Sequence, residues 1–215
     1  MLLDNIKTSL EKLYDIDTGI NIHDYLCEDD NKAPVNDGGV NVLLDPEEDV
    51  LFLNIQLHPR YLRILEDESF ANKLTGKNIL HYYILTEEVS HFVYLFWKCG
   101  ISDISPSDVS LQELELQGKI DRYILLMDFF MRQNDGETPV WMKSILFDKL
   151  PHRFESHPEE IYAKANLFAK KYCSVIEHNF ILRQDMDGLL KDVRRLYSYN
   201  ERNKLNHIAR SRFIN

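Results

Sequence analysis

Cysteine is scarce in this chain. Cys27, Cys99 and Cys173 are odd in number and far apart, with no C-x-x-C pair among them. That pattern excludes a disulfide scaffold and suits free thiols in a reducing compartment. Long apolar runs are missing too, and nothing approaches the roughly 18 residues that a membrane span needs. The opening MLLDNIKTSL carries an acid where a secretory leader would be basic, and no apolar stretch follows. Together these absences predict a cytoplasmic protein with no membrane partner.

Phosphate-binding and hydrolase signatures are also lacking. ANKLTGKN, residues 71–78, has part of a P-loop but lacks the first glycine and the final Ser/Thr. It also precedes an apolar run, whereas a P-loop follows a strand. No G-x-S-x-G, G-x-G-x-x-G or His-Glu-x-x-His occurs. His152 and His157 flank a connecting segment with no thiol nearby, a poor basis for a metal site.

What remains is an ordinary globular composition. The 215 residues are 44% hydrophobic and 28% charged, enough for one domain, 1–215, to bury a core unaided by metal or disulfide. The net charge of −10 disfavours a dedicated nucleic-acid binder. It is unevenly spread: residues 1–50 hold 13 acids and 3 bases, and residues 181–215 hold 8 bases and 4 acids. The basic end alternates charge with apolar residues, so it reads as a solvated helical face turned toward the acidic end. A weaker reading makes Lys191, Arg194, Arg195 and Arg202, beside Tyr197 and Tyr199, a nucleic-acid contact.

Periodicity divides the chain at about residue 85. Leu3, Ile6, Leu10 and Leu13 have helical spacing over residues 2–14. The turn-rich CEDDNKAPVNDGG, residues 27–39, predicts a loop. VNVLL and VLFLNIQL flank DPEED as a hairpin, the second run alternating Leu51, Leu53, Ile55 and Leu57 with Asn54 and Gln56. Pro59 can open a short helix to about Glu66. ILHYYIL, residues 79–85, is aromatic and β-branched and is expected to be a third strand. Start signals then recur: Thr86 before a helix to Cys99, Ser105-Pro106 before one to about Arg132, and Thr138-Pro139 before one to about Lys149. Ser156 with Glu159 and Ser198 with Glu201 fit capping boxes, and a further helix runs from Asp185 to Tyr197. The expected fold is α+β and predominantly helical. A small antiparallel sheet of about three strands, within residues 1–85, packs on a helical bundle, residues 86–215.

The chemistry-bearing stretch is LTEEVSHFVYLFWK, residues 85–98. A helix opening at Thr86 would place Glu87 and Glu88 in its first turn, where the exposed amides favour negative charge. Glu88 and His91 also share a face at i, i+3, as ligand pairs do in di-metal bundles, although no other histidine here follows a glutamate at that spacing. Along residues 109–131, Glu113 and Gln117 interrupt the apolar stripe of Val109, Leu116, Ile120, Ile124, Met127 and Met131. Polar groups there need buried partners. Packing the two segments together would bring Glu113 near His91. Near the end of a later helix, Glu177 and His178 diverge by about 100° and cannot chelate together.

No family is recognisable from these motifs. The first expectation is a non-enzymatic interaction or regulatory protein that binds another protein and carries no cofactor. The alternative is a metal-dependent, hydrolase-like enzyme with a divalent ion on Glu88, His91 and Glu113, Glu113 or His91 serving as base and Glu87 supporting them.

Overall fold

The computed structural model describes residues 2–27, 38–45, 50–57, 73–75, 78–102, 104–149 and 159–214. Helices dominate them. α1 (Leu2–Tyr14) has the predicted amphipathic form, burying Leu3, Ile6, Leu10 and Tyr14. β2 (Gly38–Asp45) and β3 (Val50–Leu57) pair antiparallel, Val40 opposite Ile55 and Val42 opposite Leu53. A two-residue strand, β1 (Leu26–Cys27), joins the far edge of β3 in parallel. Leu53 and Ile55 enter the core from β3, as the alternation requires, but Gln56 on the other face is buried as well.

The predicted all-antiparallel three-stranded sheet does not form. Residues 79–85, expected as its third strand, are the first half of α2 (Ile79–Leu95). Strand propensity loses here because every residue from Tyr82 to Leu95 is buried. Inside a bundle, packing on all sides outweighs the few tenths of a kcal/mol that separate helix propensities. Burying side chains such as Phe92 and Tyr94 contributes on the order of 1.5–3 kcal/mol each. Thr86 therefore sits mid-helix and caps nothing. α2 ends in a wider π-turn, Phe96–Ile101.

α3 (Leu111–Gln133) is the central helix, packed between α2 and α5. Its cap is Ser110, whose Oγ accepts from Glu113 N at 3.0 Å. Ser105-Pro106 opens only a single 3-10 turn, Pro106–Asp108, because Val109 and Ser110 are extended. The short α4 (Met142–Ser144) runs into a π-turn, Ile145–Lys149. α5 (Glu159–Ile176) also ends in a π-turn, Glu177–Ile181. α6 (Met186–Ser198) is capped by Asp185 and α7 (Glu201–Arg210) by Asn200. Ser198 does not cap α7; its hydroxyl donates to Arg195 O. The predicted loop residues 28–37, the helix at 59–66, Ser156, His152 and His157 lie outside the described residues.

The two charged ends of the chain do meet. α6 packs on α1, and Arg194 donates to the carbonyls of Leu13 and Lys12 at 3.0 and 3.1 Å. The guanidinium thus satisfies carbonyls left open at the helix terminus. Tyr197 stacks on Tyr14 with centroids 3.7 Å apart. No helix among the described residues is long and apolar enough to cross a membrane.

Candidate metal centre

α2 and α3 run antiparallel, and their polar side chains form a ladder between them. Arg122 reaches Glu87, Ser90 donates to Asp121, His91 meets Gly118 and Glu115, and Tyr94 donates to Glu113. The rungs separate into two groups because 100° per residue turns neighbouring positions onto different faces.

One group comprises Glu87, His91 and Glu115. A ligand atom from each lies within 4.8 Å of the other two, and all three residues are buried. The His91 Nε2 to Glu115 Oε1 distance is 3.9 Å. Bonds of about 2.1 Å to a tetrahedral ion would set donor atoms about 3.4 Å apart, so a modest rotamer adjustment closes the site. Two carboxylate oxygens and one imidazole nitrogen suit zinc, manganese or iron.

Gly118 makes this geometry possible. A Cβ at that position would lie 2.6 Å from His91 Nε2 and 3.0 Å from Cδ2. Any larger residue would push the imidazole off the α3 surface. Glycine costs a helix interior about 1 kcal/mol, and here that cost goes into admitting the ring.

Two cations flank the cluster. Arg122 Nη1 bonds Glu87 Oε2 at 2.6 Å while its guanidinium lies 3.9 Å from the Tyr83 ring centroid. Lys119 Nζ stands 3.9 Å from Glu115 Oε2 and faces Tyr162 of α5. Burial, aided by Arg122, pulls the Lys119 amine down to about 8 against the pull of Glu87 and Glu115.

The cluster that forms differs from the residues expected together from sequence. Glu113 does not pair with His91. Its carboxylate accepts from Tyr94 OH and from Glu201 N at 2.9 Å, and lies 3.5 Å from Lys98 Nζ. Those contacts use its lone pairs at the other end of the ladder. Glu88 is buried but outside the three-ligand cluster, which takes Glu87 in its place.

Glu113 belongs to the second group, built round Asp121 and Lys204. Tyr14, Ser90 and Gln117 all donate to Asp121. Lys204 donates to Gln117 and lies 4.3 Å from the Tyr94 ring centroid. Burial raises the Asp121 carboxyl, and it lowers Lys204 to about 7 despite Glu113 and Asp121 nearby. Gln117, anomalous in the apolar stripe, is thus the relay between α1, α3 and α7.

The remaining candidates separate. Glu177 is buried, accepting from Tyr123 OH and from Lys143 at 3.0 Å, whereas His178 is exposed and meets the edge of Phe213. Cys173 is fully buried and its thiol is pushed well up by burial. Among the basic residues, Arg194 is committed to α1 and Arg195 to Asp192 at 2.6 Å, while Lys191 and Arg202 are exposed.

No protein family, no curated protein and no solved structure matches this chain.

Proposed function

We propose that the protein is a metal-dependent enzyme of the hydrolytic kind, with a divalent ion held by Glu87, His91 and Glu115. The supporting observation is the convergence of three ligand atoms from two helices within 4.8 Å on buried ground. This reading takes precedence over the interaction role expected from composition, for which the described residues offer no comparable convergence. An ion bound there would supply Lewis acidity and a bound water that ionises near neutrality. Arg122 would orient Glu87, and with Lys119 it would offset the negative charge of the two carboxylates.

The test is elemental analysis after equilibrium dialysis against zinc and manganese, on the wild type and on His91→Ala and Glu115→Gln. The expected result is one ion per chain in the wild type and none in the variants. A metal-free wild type whose melting temperature ignores chelator would mean that the cluster is held by protein contacts such as those from Arg122 and Lys119, and would overturn the reading.

A further inference from the structure

A cleft lies away from the residues of the α2–α3 cluster, sharing none of them. About 670 Å³ in volume, it opens between the π-turn of α5, helices α6 and α7, and the segment 211–214. That volume is in the range of small-molecule sites. Its far wall is pinned by Asn179, which is buried, donates to Arg212 O at 2.9 Å and accepts from Ile214 N at 2.8 Å.

The charge of the cleft is one-sided. Among the described residues Asp192 is the only carboxylate lining it, and that group is already engaged by Arg195 at 2.6 Å, by Tyr172 OH at 2.8 Å and by His207 at 3.3 Å. Burial alone would raise Asp192, but the bonds from His207 and Tyr172 hold it below the usual carboxylate value. Arg210 and Arg212 also line the cleft, both exposed, and no carboxylate among the described residues pairs with either. At the end of α7, His207 O accepts from Ser211 and Ala209 O from Lys171. Tyr199 and Phe180, both half-buried and ring-bearing, also line the cleft.

We propose that this cleft binds a nucleotide, with the phosphate on Arg210 and Arg212 and the flat heterocycle against Tyr199 and Phe180. Guanidinium groups match phosphate oxygens in a fork geometry, and a heterocycle stacks on an aromatic ring whatever its identity. The site shares no residue with the α2–α3 centre and does not depend on it.

Calorimetric titration at low salt with AMP, adenosine, inorganic phosphate and a ten-residue oligothymidine tests the assignment. AMP is expected to saturate one site below about 1 mM and to bind at least about tenfold tighter than adenosine or phosphate. Arg210→Ala/Arg212→Ala, both at exposed positions and expected to keep the wild-type circular dichroism, should weaken AMP at least about tenfold. Equal binding of AMP and phosphate would overturn the proposal, as would an unchanged double variant. Tight oligothymidine binding without AMP binding would reassign the surface to single-stranded nucleic acid and equally defeat it.

Discussion

His91 Nε2 lies 2.6 Å from the point where a side chain at Gly118 would begin. The imidazole is seated in the gap that the missing methyl leaves in α3, and the cluster with Glu87 and Glu115 depends on that seat.

Gly118→Ala should accordingly cost about 1–3 kcal/mol, the usual penalty for overpacking, against the roughly 1 kcal/mol that alanine would otherwise add to a helix. Urea unfolding measures it. In combination with His91→Ala the clash has no ring to meet, so the double variant should be more stable than the sum of the two losses implies. Simple additivity would show that the ring is not held there.

Glu115 and Glu113 are two residues apart and should fail in different ways. Glu115→Gln should abolish stoichiometric metal. Glu113→Gln should keep the metal and lose about 1–3 kcal/mol, because Lys98 and Tyr94 lose a charged acceptor. Equilibrium dialysis paired with chemical denaturation separates the two effects. Metal lost from the Glu113 variant and kept by the Glu115 variant would restore the ligand set expected from sequence.

Lys204 sets a pH dependence. Its folded value is about 7 against an ordinary lysine value of 10.5. Between these limits the unfolded chain holds one proton more than the folded chain, so this residue makes stability rise with pH, by about 1.4 kcal/mol per unit. Below about pH 7 both states are protonated and its contribution to the slope vanishes. Lys204→Met removes the effect. Denaturation of wild type and variant at pH 6, 7, 8 and 9 should give curves that coincide in shape at the acid end and diverge above neutrality. Parallel curves throughout would show that the amine stays protonated inside the fold.

Arg194 belongs to architecture. Arg194→Ala should cost about 1.5–3 kcal/mol from the loss of charged hydrogen bonds to the end of α1. A melting curve shows this loss, and an affinity for short DNA that fell with stability unchanged would contradict it.

Much of the helical frame was legible because capped, amphipathic segments carry their own punctuation. α1 and α6 each show one wet face and one dry face, and both lie within a residue or two of their predicted bounds. α2 was misread for the opposite reason. With no wet face it has no period, and a short apolar, β-branched run then looks like a strand. The candidate cluster was only partly anticipated. His91 and its acids stood out, but Glu115 was overlooked in favour of Glu113, whose place in the apolar stripe was more conspicuous. A signal was present: Glu115, Gly118, Lys119 and Arg122 recur at i, i+3, i+4 and i+7, a stripe of opposed charges around a glycine. The cage around Lys204 was not legible, since it joins α1, α2, α3 and α7 across distances that no local pattern spans.

The enclosure of α2 also bears on how the chain reaches its native state. Between Tyr82 and Leu95 no position faces water, so a partly assembled bundle would leave this rod naked and sticky. Its neighbours must close around it almost together, which favours all-or-none assembly and makes truncated fragments containing it prone to clump.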